Sequence, residues 1–265
     1  MVVAGFPCQP FSVAGLREGF NDDRSNAFFE LVRIINGMEI KPRVLFLENV
    51  KHLVSHDKGN TFQVIEKTLN SMGYKIKYQV LNAKDYGNVP QNRERIYIVG
   101  FINDSDYEQF KFPEPILLSK TVTDLLDDEV SDKYHYTSSS SIYDLLTGYD
   151  MKEGIVYQCR RRYIRENKSG VIPTLTANMG GGGHNVPIII RHGIYRKLTP
   201  RECFRAQGFP ETYVLPNKMS DTQLYKQIGN SVAVPVIKRI ADNILSIIKK
   251  SPSDMYSLND HSNIS

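Results

Sequence analysis

Short apolar stretches alternate with amphipathic stretches in the amino-terminal part of the chain, and this alternation strongly constrains the fold. Val2–Gly5, Arg43–Leu47 and Arg95–Phe101 have the apolar and β-branched composition of buried strands. Apolar residues recur at helical spacing over Asn26–Met38 and again over Thr61–Met72. Strands that alternate with helices predict an α/β fold with a mainly parallel sheet and helices on both faces.

Side chains that can take part in a reaction lie at the ends of these strands. Cys8 and Glu48 each follow a strand, and ligand sites in open α/β sheets lie at the carboxyl ends of strands. Arg95 instead opens its strand, and an antiparallel edge strand would bring it to the same side. The segment Val80–Phe101 is typical of a strand, a turn and a strand, which predicts a hairpin at one edge. A lone cysteine beside an apolar run is often a small buried hydrophobic residue, so a catalytic role for Cys8 needs further support from other segments.

Length and cysteine content limit the classes of protein. The chain has 265 residues, which suits one large domain or two smaller ones. Its three cysteines, Cys8, Cys159 and Cys203, lack paired spacing and nearby histidines, which argues against a disulfide framework and against a structural metal site. With no signal-peptide pattern and no long apolar run, we expect a cytoplasmic protein.

The charge distribution favours a nucleic-acid partner. The net charge is only +4, but residues 104–150 contain eleven acidic residues against three lysines, and residues 151–205 contain eleven Lys and Arg against three Glu. A basic block is often just a solvated surface. This one also contains tyrosines, a glycine run and the sequence Arg160–Arg162, the mixture expected of a polyanion-binding face.

The second part of the chain has a different organisation. Beyond residue 103, prolines, acidic residues and serines replace the alternation, and short strands are predicted within Gly154–Ile190. Thr199 and Glu202 have the spacing of a capping box at the start of a short helix. Helices are also predicted at Gln223–Gln227 and Val232–Lys249.

Four segments occur in an order that carries a resemblance. They are Gly-Phe-Pro-Cys-Gln-Pro-Phe-Ser at 5–12, Glu-Asn-Val at 48–50, Gln-Asn-Arg-Glu-Arg at 91–95 and Gln-Ile-Gly-Asn-Ser-Val at 227–232. Together with the linking stretches at 20–24, 55–61, 81–87 and 196–203, they resemble the C5-cytosine DNA methyltransferase family, in particular bacterial modification enzymes. The resemblance implies a partial Rossmann-like methyltransferase sheet with helices on both faces, plus a smaller, β-rich target-recognition domain.

The resemblance also implies a division into domains. Residues 1–110 would form the catalytic domain and residues 111–215 the target-recognition domain. Residues 216–250 would return to the catalytic domain, and residues 251–265 would be a disordered tail.

The family's reaction assigns roles to four residues. A cytosine is flipped out of the duplex, and the thiolate of Cys8 would attack ring carbon 6 so that carbon 5 accepts a methyl group from S-adenosylmethionine. Glu48 would hold ring nitrogen 3 and the exocyclic amine, which requires a raised pKa if it donates a proton. Arg95 would bind the ring oxygen and orient Glu48. Arg93 would support the pocket or the catalytic loop, or else be a plain surface arginine.

Further residues are implied for the cofactor and for DNA. Pro7, Asn230 and Ser231 would contact S-adenosylmethionine, and Asn230 and Ser231 also suit a helix cap. The loop from Phe11 to Ala27 would close over the flipped base. The residues implied for DNA are Ser12, Arg24, Gln91, Arg160, Arg161, Arg162, Arg165 and Thr174, and which arginines read bases stays open.

The chain departs from the family at its start. The strand and the Phe-x-Gly-x-Gly loop that cradle the cofactor are not in this sequence, and Met1 falls inside the strand that leads to Cys8. The chain is therefore expected to be a fragment, one subunit of a split enzyme with a complementary amino-terminal chain, or an inactive remnant. We expect it to bind S-adenosylmethionine poorly by itself.

Three other functions stay open at the level of sequence. An RNA cytosine methyltransferase shares the fold, but the long basic region and the Thr-Leu-Thr-Ala stretch at 174–177 favour DNA. A non-catalytic DNA-binding protein would keep the basic region and lose the chemistry. A thiol hydrolase would need a histidine near Cys8 in a suitable context, and the sequence does not indicate one.

Overall fold

The computed structural model describes residues 1–6, 27–181 and 186–249. Within these ranges the chain divides into two compact units. Unit 1 comprises Met1–Leu81, Arg95–Pro113 and the segment from Ile240, and unit 2 comprises Asn82–Glu94 and Glu114–Arg239. The predicted domain boundaries at 110, 215 and 250 stay predictions.

Unit 1 is built on a four-stranded sheet with the order β1-β2-β5-β3. Its strands are β1 (Val2–Gly5), β2 (Val44–Val50), β3 (Lys75–Asn82) and β5 (Glu94–Phe101). β1 is parallel to β2 and β5 is antiparallel to β2, so the sheet is mixed. The sequence predicted a mainly parallel sheet from the alternation of strands and helices. That alternation does not show that β5 pairs with β2 in the antiparallel direction.

The position of β5 partly corrects the sequence prediction. Its antiparallel pairing to β2 brings Arg95 opposite Val50, so the start of β5 does lie beside the end of β2, as expected. However, β5 is an inner strand between β2 and β3 rather than an edge strand. The reason is its composition, since the apolar run from Ile96 to Phe101 is buried throughout and both of its faces are covered.

Helices α1 (Ala27–Asn36), α2 (Asn60–Ser71) and α4 (Asp104–Gln109) belong to unit 1. Two short 3₁₀ turns, Lys51–Val54 and His56–Gly59, connect β2 to α2. Apolar side chains from the helices and the sheet form a single cluster that includes Phe28, Ile35, Leu45, Ile65 and Ile98. The predicted helices at 26–38 and 61–72 are confirmed within one or two residues at each end.

Unit 2 contains a four-stranded sheet with the order β10-β9-β6-β7 and a two-stranded parallel sheet of β4 and β8. The strands are β4 (Gln91–Asn92), β6 (Tyr157–Arg160), β7 (Tyr163–Glu166), β8 (Ile172–Pro173), β9 (Ile188–Arg191) and β10 (Ile194–Lys197). The prediction of short strands within residues 154–190 is confirmed.

The helices of unit 2 are α3 (Ala83–Tyr86), α5 (Tyr143–Thr147), α6 (Pro200–Ala206) and α7 (Asp221–Asn230). α8 (Val234–Ile248) begins in unit 2 and continues into unit 1. The predicted capping box is confirmed, because Thr199 Oγ1 accepts from the Glu202 backbone and Glu202 Oε2 accepts from the Thr199 backbone. In the ranges that the structure covers, no helix is both long enough and apolar enough to span a membrane.

Candidate active site and nucleic-acid surface

Glu48 occupies the end of a buried strand in unit 1. The four residues before it, Val44–Leu47, are buried, and the Glu48 side chain is 17% exposed. In the parallel register Gly5 lies opposite Glu48, and a β-carbon on Gly5 would come within 3.5 Å of Glu48 Oε2. The carboxylate therefore lies beside the end of β1, at an ordinary van der Waals distance from that position.

Arg95 reaches the same carboxylate from the other neighbouring strand. Its Nε lies 3.1 Å from Glu48 Oε1, and its side chain is 14% exposed. Tyr97 is the residue directly opposite Glu48, and Arg95 is two positions before it, so Arg95 and Glu48 are diagonal neighbours on one face of the sheet. The structure thus brings together two of the predicted catalytic residues.

The carboxyl group of Glu48 is mostly buried and lies against the guanidinium of Arg95. The proposed role of Glu48 as a proton donor stays a prediction.

The segment that leads to Cys8 is anchored to β2. Asn49 is buried, and its Nδ2 donates to the carbonyl oxygen of Phe6 at 2.8 Å. This contact fixes the course of the chain just beyond β1. Cys8 itself, with Pro7, Ser12 and Arg24, lies outside the described residues, so their assigned roles stay predictions.

Arg93 is an interior residue of unit 2, with only 3% of its surface exposed. Its guanidinium donates to the carbonyl oxygens of Leu175 at 3.2 Å and Gly229 at 3.4 Å, and also to that of Ser231. It therefore connects the segment that contains Thr174 to the end of α7. A plain surface arginine would not be buried in this way; the assigned role of Arg93 in supporting the pocket or the catalytic loop stays a prediction.

Gln91 is also completely buried in unit 2. Its Nε2 donates to the carbonyl oxygen of Ala206 at 2.7 Å, and its Oε1 accepts from the backbone of Leu175 at 3.2 Å. Both ends of its side-chain amide are therefore hydrogen-bonded to the backbone, and the DNA contact assigned to Gln91 stays a prediction. It fixes the same segment as Arg93.

Thr174 and the end of α7 are at least partly exposed. Thr174 is partly exposed, and its hydroxyl donates to the carbonyl oxygen of Asn92 at 2.6 Å. Asn230 is the last residue of α7 and is exposed, while Ser231 follows as the C-cap and donates its hydroxyl to Ile228. Ser231 therefore does cap a helix, at the end of α7 rather than at the start of the next helix.

The β6–β7 hairpin of unit 2 presents a cluster of cations. Arg161, Arg162 and Arg165 are exposed, and none of them forms a salt bridge with any acidic residue in the described ranges. Arg160 is partly buried and donates to Gln158 at 3.3 Å. A depression of about 620 Å³ is lined by Arg160–Tyr163 at the hairpin turn. Cations without carboxylate partners remain available for phosphate groups.

Two features of these sites were not predicted from the sequence. The first is Asn49, whose side chain anchors the end of β1. The second is Gly229, where a β-carbon would lie 2.2 Å from the backbone of Thr176 and Ala177. This glycine belongs to the motif Gln-Ile-Gly-Asn-Ser-Val. The sequence alone does not show that the backbone of Thr176 and Ala177 packs against it.

Residues 1–246 match the family described as C-5 cytosine-specific DNA methylase. The chain belongs to this family. It is 58% identical over 249 residues to the type II methyltransferase M.Bsp6I of Bacillus sp. (strain RFL6), a match that covers 92% of this chain and 78% of that protein. It is 43% identical over 253 residues to the type II methyltransferase M.SsoII of Shigella sonnei, covering 94% of this chain and 64% of that protein, which is slightly under two thirds of its length.

Solved structures support the methyltransferase fold. The Entamoeba histolytica methyltransferase EhMeth superposes with a TM-score of 0.70 at 20% identity, covering 94% of this chain and 77% of that one. This likeness confirms the predicted methyltransferase-type α/β fold. The predicted resemblance to C5-cytosine DNA methyltransferases is confirmed by the family match and by the type II relatives.

Proposed function

We propose that this DNA cytosine-5 methyltransferase transfers a methyl group from S-adenosylmethionine to carbon 5 of a flipped cytosine in duplex DNA. The observation that carries the proposal is the ion pair of Glu48 and Arg95 next to the end of β1. Its closely related proteins are named as type II methyltransferases. We therefore also propose that the protein works in a bacterial restriction–modification system, in the cytoplasm.

The reaction proposed for Cys8 is a conjugate addition. Its thiolate forms a bond to ring carbon 6 of cytosine, and the electron pair released from the ring double bond makes carbon 5 nucleophilic. Carbon 5 accepts a methyl group, loses its proton to solvent or a base, and β-elimination releases the thiolate. The double bond is restored, so Cys8 ends each cycle unchanged.

Glu48 and Arg95 are proposed to hold the cytosine while Cys8 adds. The Glu48 carboxyl would bond to ring nitrogen 3 and the exocyclic amine, where negative charge develops during the addition. Arg95 would donate to the ring oxygen and, through the 3.1 Å contact, fix the orientation of Glu48. Both side chains are mostly buried, which strengthens these polar interactions.

Two residues of unit 2 suit the cofactor. The side-chain amide of Asn230 is exposed and makes no hydrogen bond within the described ranges, so it is available to a ligand. The hydroxyl of Ser231 donates to Ile228 and retains lone pairs for a donor. When bound, S-adenosylmethionine would supply an electrophilic methyl group on its sulfonium sulfur. Pro7 is kept as a third proposed contact.

Duplex DNA is the proposed nucleic acid. Arg161, Arg162 and Arg165 present cations on an exposed hairpin, and Thr174 is held at a partly exposed position suited to a phosphate contact. Ser12, Arg24 and Arg160 are kept as further proposed DNA contacts. RNA is the competing substrate, because the same cations would attract it equally.

A complementary amino-terminal methyltransferase segment is a proposed partner. β1 is at the edge of the described sheet, with Val3 58% exposed and Met1 51% exposed. An open strand edge with apolar side chains is a site at which another strand adds. The alternative is a DNA-binding protein without activity, which would fail to transfer methyl groups even after such a segment is supplied.

A labelled-methyl assay tests the function. Purified protein is incubated with labelled S-adenosylmethionine and either bacterial genomic DNA or transfer RNA, with and without the amino-terminal segment of M.Bsp6I. We expect label in 5-methylcytosine of DNA, increased by the added segment. Label in RNA alone would favour the RNA rival, and no label under any condition would favour the inactive remnant.

A further inference from the structure

A basic and aromatic cleft in unit 2 is not explained by any role assigned above. It has a volume of about 510 Å³, and its lining includes Lys133, Tyr134, Ser140, Arg161 and Lys197. All of these residues lie within unit 2. The cleft shares Arg161 with the depression at the β6–β7 turn, so the two concavities adjoin.

Lys197 is one of the cations that line this cleft. It is partly buried at the end of β10, and its Nζ lies 5.9 Å from the ring centre of Tyr134 and 5.7 Å from that of Tyr225. Tyr225 is held in place by a hydrogen bond from its hydroxyl to the carbonyl oxygen of Leu198 at 2.5 Å. The ammonium group therefore lies within cation–π distance of two aromatic rings.

The charge of Lys197 is not neutralised by a carboxylate in the part of the chain that the structure describes. The nearby cation Lys133 differs, because its Nζ lies 2.8 Å from Asp221 and is paired. Because Lys133 neutralises Asp221, the positive charges of Lys197 and Arg161 are not balanced by this carboxylate. A cation without a carboxylate partner can be stabilised by an anion that enters the cleft.

We infer that this cleft binds a backbone phosphate of the DNA, with Lys197 as the principal contact and Arg161 beside it. The inference rests on the proposed function, since Arg161 belongs to the hairpin proposed to contact DNA. Ser140 and Ser141 line the same cleft and offer hydroxyl donors to the phosphate oxygens. The ligand chemistry is a phosphodiester, and the occupant to which we commit is duplex DNA.

The salt dependence of DNA binding tests this inference. A mixed-sequence, fluorescently labelled duplex is titrated with the full chain at several salt concentrations, and anisotropy gives the dissociation constant. Loss of one phosphate contact lowers the slope of log K against log salt by about 1. We expect this decrease for Lys197→Gln and a wild-type slope for Lys197→Arg, which keeps the charge.

Two control variants separate this inference from the proposed function. Lys218→Gln removes an exposed lysine outside the cleft lining and should leave the slope unchanged. Arg162→Gln tests the hairpin itself. A reduced slope for Arg162→Gln with an unchanged slope for Lys197→Gln would overturn the cleft inference and leave the proposed DNA surface intact. Unchanged slopes for both variants would overturn both.

Cys159 provides a readout in the unmodified protein, because it lines the same cleft and is partly exposed. Burial raises the pKa of its thiol, so alkylation by iodoacetamide is carried out at high pH and followed by mass spectrometry. We expect duplex DNA to slow alkylation of Cys159 in a salt-dependent manner. Equal protection by a nucleoside monophosphate at matched ionic strength would identify a free nucleotide as the occupant and overturn the inference, as would no protection by DNA.

Discussion

Arg95 and Glu48 lie on adjacent antiparallel strands, and the Arg95 Nε lies 3.1 Å from Glu48 Oε1. The contact depends on the register that places Tyr97 opposite Glu48, because a shift of one residue would turn Arg95 to the other face of the sheet. On the other side of β2, Gly5 of β1 lies opposite Glu48 in the parallel register. The pair is thus positioned by the sheet itself.

Glu48→Gln should lower methyl transfer without unfolding unit 1. The amide keeps the shape of the side chain but loses the acid–base group, and a positioned acid or base contributes about 100-fold or more to rate. The measurement is single-turnover methyl transfer into DNA. Glu39→Gln, at an exposed position, is the matched control and should have wild-type activity. A wild-type rate for Glu48→Gln would remove Glu48 from the mechanism.

Arg93→Met should lower the stability of unit 2. The substitution leaves the carbonyl oxygens of Leu175, Gly229 and Ser231 without their donor in a buried environment, at a cost of about 3 kcal/mol. The free energy of unfolding is measured in urea. At a temperature where the variant is folded, the KM values for DNA and for the cofactor should both rise, because the segments that carry Thr174 and Ser231 lose their connection.

Arg162→Ala is the control for this measurement, since Arg162 is exposed and forms no salt bridge in the described ranges. It should leave the unfolding free energy unchanged within about 0.5 kcal/mol. Equal stabilities of Arg93→Met and the wild type would show that the buried guanidinium does not hold these segments together.

The outcome for Arg93 shows what sequence reasoning can and cannot reach. The capping box at Thr199 and Glu202 was predictable because both partners lie within one helical turn. The burial of Gln91 and Arg93 was not, because their partners are carbonyl and amide groups far along the chain. Polar residues are usually exposed, so the complete burial of Gln91 could not be predicted from its residue type.

The strand order shows the same limit. Burial of β5 could be read from its continuous apolar run, and its antiparallel direction was needed to bring Arg95 to Glu48. Its place between β2 and β3 depends on long-range pairing that local patterns do not encode. The residues of the candidate site were found by their order along the chain, whereas their supporting contacts required the structure.

Gly229→Ala should disrupt the end of α7. The added methyl group would lie 2.2 Å from backbone atoms of Thr176 and Ala177, and backbone cannot move aside as a flexible side chain can. We expect a loss of about 2 kcal/mol or more in unfolding free energy and a raised KM for the cofactor. Gly37→Ala, where the β-carbon would have an ordinary 3.4 Å contact, is the control. A stable, fully active Gly229→Ala protein would contradict this packing.

Glu202→Ala should be far more destabilising than Thr199→Ala. Glu202 is completely buried and accepts hydrogen bonds from both terminal nitrogens of Arg196, at 2.7 and 2.8 Å. Its removal leaves a buried guanidinium unpaired, at a cost of about 3–5 kcal/mol. Loss of the Thr199 cap costs about 1 kcal/mol. Thermal or urea unfolding measures both, and similar losses for the two variants would contradict the buried ion pair.

The central claim is that Cys8 adds to carbon 6 of cytosine. Because this addition makes carbon 5 nucleophilic, it permits exchange of the carbon-5 hydrogen with solvent even without a methyl donor. The direct measurement is release of tritium from DNA that contains [5-³H]cytosine, for the wild type and for Cys8→Ser, with DNA binding checked by anisotropy. We predict release by the wild type and none by Cys8→Ser at unchanged DNA affinity; equal release by both proteins, or none by the wild type bound to DNA, would contradict the account.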